Sequence, residues 1–165
     1  MMPPLNTIAF LVENKAGVLF NVSNMFRRRG FNIESISVGP VEGHQISRMT
    51  VSVYANNKEL NQIVLQLEKM VDIIKVKRLD KMRSIMREMV LIKVDTVDPM
   101  AREETLRHVN AYHGLILHID AESIIAEVTG ESEVIDEFIS KTRPIGIEEL
   151  SRTGVTALEK GNLKL

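Results

Sequence analysis

The 165-residue sequence predicts an α+β chain, two βαββαβ units in tandem. Three observations lead there. Short apolar or alternating runs take turns with stripes of helical spacing. Gly, Pro, Asn and Asp punctuate the joins. And the element order of residues 1–79 returns in residues 88–153, the ferredoxin-like split motif written twice.

Residues 5–12 read as the first strand. They are apolar at nearly every position, more than a strand with one wet face needs. Both faces are therefore expected to be covered, by a partner chain or a second domain. A helix follows over about 17–29, with Val18, Leu19, Val22, Met25 and Phe26 on its apolar stripe. Arg27, Arg28 and Arg29 fall in its last turn, and Gly30 supplies the stop. Residues 31–41 are expected as the second strand, then a hairpin turn marked by Gly39-Pro40 and Gly43-His44. In strand 46–54, Met49, Val51 and Val53 alternate with Arg48, Thr50 and Ser52. Asn56 and Glu59 form a capping-box pattern ahead of Leu60, Ile63, Val64, Leu67 and Met70. Residues 72–79 close the unit.

The charged stretch 80–87 reads as a linker. The second unit begins with a strand over 88–94. Asp98-Pro99 marks a helix start, and Gly114 marks its stop. Strands 115–119 and 123–128 flank a turn at Asp120-Ala121. A last helical stripe, Val134, Ile135, Phe138 and Ile139, is expected to end at Arg143-Pro144, ahead of a strand over 145–152. Residues 154–165 form a short, weakly patterned tail.

Composition narrows the function. With 44% hydrophobic residues the chain can build a core, so global disorder is not expected. A net charge of −1 gives no basic footprint for nucleic acid. The absence of cysteine removes disulfides, thiol nucleophiles and Cys-ligated zinc, and it fits a cytoplasmic location. The Met-Met-Pro-Pro start does not look like a signal peptide. No apolar run approaches the roughly 18 residues of a membrane span, so no membrane is expected as partner.

Catalytic patterns are missing as well. His44, His108, His113 and His118 form no HExxH, and His108 and His113 would lie on different parts of a helix surface. Neither a Walker loop nor GxGxxG occurs, and Ser23, Ser35 and Ser47 lack a nucleophile-elbow context. Glu103-Glu104 and Glu148-Glu149 read as solvated faces. The arginine triplet reads as a helix end, and the nine methionines mostly as core. No catalytic residue and no metal site is expected.

One stretch stands out as a binding feature. Residues 14–17 join the first strand to the first helix. The helix start there offers unpaired N–H groups and the positive end of the helix dipole, which together suit a carboxylate. Gly17 leaves the backbone open to a ligand, and Asn14 can both donate and accept. A free amino acid would fit such a site. An ordinary strand-to-helix connection has the same spacing.

Three segments taken together resemble a known family: Leu11-Val12-Glu13-Asn14-Lys15-Ala16-Gly17-Val18-Leu19, Arg29-Gly30-Phe31-Asn32-Ile33-Glu34-Ser35-Ile36 and Ser47-Arg48-Met49-Thr50. They resemble the small, regulatory subunit of acetolactate synthase (acetohydroxyacid synthase), whose N-terminal ACT domain binds amino acids. Arg152-Thr153-Gly154 near the end is also similar to the family. The resemblance implies a non-catalytic chain that holds no cofactor. Its partner would be the large catalytic subunit, which in the family holds thiamine diphosphate, magnesium and FAD. The small subunit would raise that subunit's activity and confer feedback inhibition by branched-chain amino acids, valine first. The family's effector site lies at the ACT-domain homodimer interface. The matching positions are Asn14, Ala16, Gly17, Val18 and Leu19 from one chain and Asn32 and Ile33 from the other. A stand-alone ACT-domain amino-acid sensor, acting on another enzyme or on transcription, is the alternative. An independent enzyme of this fold has no catalytic constellation to support it.

Overall fold

A computed structural model describes residues 3–41, 43–162 and 164–165. Met1 and Met2 of the Met-Met-Pro-Pro start lie outside the described residues, as do Glu42 in the expected hairpin turn and Leu163 in the expected tail. The chain forms two units. Residues 1–86 combine with 154–165, and residues 87–153 form the other. The second unit is thus an insertion between two stretches of the first.

In the first unit the elements are β1 (Leu5–Glu13), α1 (Val18–Arg28), β2 (Ser35–Pro40), β3 (Ile46–Tyr54), α2 (Asn57–Glu68) and β4 (Ile73–Leu79). The sheet is antiparallel in the order β2-β3-β1-β4. Ile8, Phe10 and Val12 of β1 and Met49, Val51 and Val53 of β3 share one face, as strand period 2 requires. Val18, Val22 and Phe26 of α1 and Leu60, Ile63 and Leu67 of α2 pack onto that face. Each such side chain, fully buried, contributes about 1.5–3 kcal/mol. The Asn56 capping box forms: its side chain accepts from Lys58 and Glu59 N–H, and the Glu59 carboxylate accepts from Asn56 N–H.

Several boundaries differ from the sequence expectation. β2 starts at Ser35 rather than at residue 31, because Phe31 N–H still bonds Phe26 O in the terminal turn of α1. Arg48, Thr50 and Ser52 of β3 do not face water. Thr50 and Ser52 are buried, because chain from beyond β4 covers this second face. The cover is the expected tail. Thr156–Glu159 forms a strand, and Val155 and Ala157 are buried with Ala9 and Leu79, with Met86 and Leu165 packed alongside. So the near-continuous apolar pattern of β1 is met by the protein's own C-terminal segment, where a partner chain or second domain was expected. The expected linker carries structure too: a 3-10 turn at Lys81–Arg83 precedes a strand that already begins at Ser84.

In the second unit the same order returns as β5 (Ser84–Asp95), α3 (Pro99–Ala111), β6 (Leu115–Ile119), β7 (Ser123–Gly130), α4 (Ser132–Gly146) and β8 (Ile147–Arg152). Its strands run β6-β7-β5-β8; β9 (Thr156–Glu159) belongs to the first unit and pairs with β5, whose opening residues 84–86 belong to that unit as well. Val90, Ile92 and Val94 of β5 and Ile124, Ala126 and Val128 of β7 meet Val109, Ile135 and Phe138 from the two helices. Tyr112 and Phe138 pack edge to face at 5.3 Å. Asp98 caps α3 through Met100 N–H, with Pro99 at the first position. Pro144 lies inside α4 instead of ending it. A proline supplies a helical φ by itself, and this close to the end it forgoes a single N–H bond. At the end of α3, His113 (φ 55) is the left-handed residue, one before the expected stop at Gly114. Its N–H bonds Asn110 O, and Gly114 N–H bonds Val109 O, the paired bonds of a Schellman end.

Candidate functional site

The loop from β1 to α1 is held at both ends. Asn14 N–H donates to Gln45 O at 2.8 Å, and Asn14 Nδ2 donates to His44 O at 2.8 Å, so the loop is stitched to the β2–β3 hairpin. The Lys15 ammonium bridges Glu13 at 2.5 Å and Asp72 at 2.7 Å. Hydrogen bonds to Asp72 and Glu13 hold the Lys15 pKa above its ordinary value, and the bond from Lys15 holds the Asp72 carboxyl below its own. Lys15 is therefore paired with two carboxylates beside the loop.

Gly17 is the N-cap of α1, at φ 87, and no side chain caps the helix. That left-handed φ is one an L side chain adopts at a cost of roughly 1–2 kcal/mol. Space is no obstacle, since a Cβ there would meet nothing within 4 Å. Val18 N–H donates to Lys15 O at 3.5 Å, and no side chain caps the Leu19 and Phe20 N–H groups at the positive end of the dipole. Asn14, Ala16 and Gly17 are exposed around it. Val18 is buried and serves the core, whereas Leu19 and Phe20 are exposed, Phe20 by 70%. On the other flank of α1, Asn21, Asn24, Met25 and Arg28 line a groove with Gln66 and Met70. Leu19 and Ser23 are each two residues from Asn21, about 200° of helix, so they point away from that groove.

Asn32 and Ile33 lie elsewhere. They follow α1, so the helix length separates them from Gly17. Glu13 pairs with Ile46 and Ser35 with Ser52, positions six residues apart on β3, or about 20 Å. Asn32 is exposed and Ile33 packs against the core edge. Within one protomer the two groups of expected site residues are not brought together.

Among the described residues, no three His, Cys, Asp or Glu side chains are grouped to hold a metal ion, and no helix is long and apolar enough to cross a membrane. The residues that the sequence left without a role are Arg48, Gly154 and Glu159. All three are engaged by the first unit: Arg48 Nη2 donates to Ala157 O at 2.8 Å, Gly154 packs against the Ile36 backbone, and Glu159 pairs with Lys77. The alternation of Val155 and Ala157 with Thr156 and Leu158 is the signal for the layer over the second face of the first sheet, too short to read unaided.

Residues 8–75 match the family described as AHAS small subunit-like ACT domain, and residues 87–161 match the family described as small subunit of acetolactate synthase. The chain is 41% identical over 162 residues to the probable acetolactate synthase small subunit of Methanothermobacter thermautotrophicus, covering 98% of this chain and 96% of that one. The chain belongs to the acetolactate synthase small-subunit family. Similar breadth holds for the acetolactate synthase small subunit of Mycolicibacterium smegmatis, at 37% identity over 96% of this chain and 92% of the other. The crystal structure of the acetolactate synthase small subunit from Thermotoga maritima superposes with a TM-score of 0.90 at 36% identity, covering 97% and 99% of the two chains. The first unit is accordingly the ACT domain, and this small subunit is a regulatory chain of two ferredoxin-like units.

Proposed function

We propose that this small subunit activates an acetolactate synthase large subunit and makes it sensitive to feedback inhibition by branched-chain amino acids, valine foremost, in the pathway that makes them. The observation that carries this reading is the open, uncapped start of α1 at Gly17, stitched to the hairpin through Asn14. Its N–H groups take the effector carboxylate. Asn14 Oδ1, which has no partner among the described residues, accepts from the ammonium group while its amide holds His44. The carbon–carbon condensation, with thiamine diphosphate, magnesium and FAD, belongs to the large subunit; this chain's part is binding and transmission.

The separation of Asn32 and Ile33 from the loop supports a site shared by two copies. β2 is an edge strand, with one row of ladder groups left unpaired by its own sheet. Two copies joined antiparallel with the two-fold axis at the middle of β2 would set Ser35 of one opposite Pro40 of the other. Continued past the strand, that register puts Asn32 opposite the hairpin turn at Gly43 and His44, and His44 holds Asn14. Ile33 then supplies an apolar wall for the effector side chain, beside Leu19. A homodimer through the ACT domain thus completes the effector site.

The test is acetolactate formation by the large subunit with and without this chain, across titrations of valine, leucine and isoleucine. Stimulation that valine reverses is expected. Stimulation with no response to any of the three overturns the effector reading, and pyruvate turnover by this chain alone overturns the regulatory one.

A further inference from the structure

Arg27, Arg28 and Arg29, at the end of α1, have no part in the proposed effector site. The helix dipole favours cations there, but its end carries about half an elementary charge against three. Among the described residues none of the three forms an ion pair. Their hydrogen bonds go to neutral amides: Arg27 Nη2 donates to Asn24 Oδ1 at 3.1 Å, and Arg29 Nη2 to Gln66 Oε1 at 2.9 Å. Arg28 has no partner among the described residues. We infer that the groove between α1 and α2, beside this triplet, is a docking face for a carboxylate-bearing surface of the large catalytic subunit. The inference rests on the proposed regulatory reading.

The lining of the groove is rich in donors. Arg28 and Arg29 line it with Asn24 and Gln66, and the arginines occupy both amide oxygens. The two amide NH2 groups are left as donors without a partner among the described residues. Two turns away along α1, Asn21 Nδ2 donates to Asp72 at 3.4 Å, and Asp72 is already paired with Lys15 at 2.7 Å. The groove therefore presents positive charge that no carboxylate of its own unit meets, together with N–H groups to bond one. A carboxylate answers both, and a guanidinium takes it in two parallel bonds.

The shape and the apolar residues favour a protein over a small molecule. Every lining residue is exposed or half-buried, so the groove is a trough, whereas ligand pockets enclose roughly 70–90% of what they bind. Met25 and Met70, packed against the core, form its floor. Phe20, 70% exposed, stands on its rim, about 40° of helix from Asn24. Arginine, methionine and aromatic side chains are the types enriched in protein interfaces. The other broad face of the ACT sheet is closed within its own unit by Val155 and Ala157, and β2 is the edge assigned above to a second copy. The helical face is the broad surface left for the large subunit.

Charge reversal at Arg28 is the direct test, since its side chain makes no bond among the described residues. Stimulation of acetolactate formation is measured against the concentration of the full chain, at low and high salt, beside valine binding to the free chain by calorimetry. Arg28→Glu should raise the concentration for half-maximal stimulation about tenfold or more, while the rate at saturation and the valine affinity stay within about threefold. Salt should weaken the unsubstituted chain more than the variant, because it screens an attraction that the variant lacks. Phe20→Ala should weaken stimulation in the same way without touching a charge, and it serves if Arg28→Glu does not fold. Lys58→Glu, at the far end of α2, changes net charge equally and should leave the half-maximal concentration unchanged. Unchanged half-maximal stimulation in Arg28→Glu and Phe20→Ala overturns the docking role, as does an equal loss in Lys58→Glu. Inorganic phosphate that binds the free chain and not Arg28→Glu, with stimulation intact in both, would make the groove a small-anion site instead. A large subunit that the unsubstituted chain does not stimulate overturns the regulatory reading, and the docking face falls with it.

Discussion

Asn14 has one task in the structure and a second in the proposed site, and they separate in a mutant. Its amide N–H holds His44 O, and in the proposed site its oxygen accepts from the effector ammonium. Asn14→Ala should lower stability by about 0.5–1.5 kcal/mol, the net worth of one hydrogen bond. It should weaken valine binding more, by roughly 10- to 150-fold, because the lost bond is to a charged group. Calorimetry beside a urea melt distinguishes the two, and unchanged valine affinity would remove Asn14 from the site. Gly17→Asp probes the same place from the other side. The position is open, and Asp is among the residues that tolerate a left-handed φ, so the fold should survive. Its carboxylate would occupy the anion position at the helix start and repel the effector. The expected complex is still stimulated by the chain and no longer inhibited by valine. Normal inhibition would place the effector elsewhere; lost stimulation with an intact fold would make the loop a contact for the large subunit.

At the level of elements, two joints of the second unit carry distinct electrostatics. In the β6–β7 turn, Asp120 accepts from Glu122 N–H at 2.9 Å and Ser123 N–H at 2.8 Å, with His118 at 3.1 Å. The two backbone bonds, then His118, depress its pKa from 3.8 to about 2. A carboxyl depressed by folding stabilises the fold above its unfolded pKa and ceases to do so as pH falls through its folded value. The turn's contribution should therefore be complete above about pH 4 and fade toward pH 2. Asp120→Asn should flatten that part of a pH–stability profile, and an identical profile would show that the turn does not depend on the charge. The second joint is Glu88, which is buried and accepts from Arg152 and from Ser132 Oγ, tying β5 to β8 and to the start of α4. Glu88→Ala leaves Arg152 with Asp136 as its carboxylate partner and removes the acceptor for Ser132 Oγ, and should cost about 1–3 kcal/mol, the scale for hydrogen bonds to a charged group. A chemical melt within 0.5 kcal/mol of the unsubstituted chain, taken as roughly the ordinary surface effect, would contradict this.

For the whole molecule, the proposed site is complete only between two copies, so assembly and effector binding are linked. The chain should sediment as a dimer at micromolar concentration, and valine should tighten that dimer by mass action. A replacement of Val38, 45% exposed on the β2 edge strand, by lysine should weaken both together. A monomer that binds valine normally would refute the shared site.

Much of this was legible in the residues alone. Period 2 in β3, the stripes of α1 and α2, the Asn56 capping box and the Asp98-Pro99 start are local signals, and the structure uses each of them. The open turn at Gly17 was legible for the same reason, since a strand-to-helix joint and its glycine are neighbours in sequence. What only the tertiary structure decided depends on residues far apart. The alternation in β3 separates an apolar from a polar face but does not show what lies on the polar one; residues 154–159 cover it, from more than a hundred positions away. The apolar excess of β1 signalled a covered second face, and pattern by itself cannot say whether the cover is another chain or a distant stretch of the same one. The placement of Asn32 and Ile33 apart from the Gly17 loop likewise follows from the β3 register. Backbone propensity and capping act over a few residues, so sequence displays them directly; which surfaces meet is set by packing between segments that the chain brings together only when it folds.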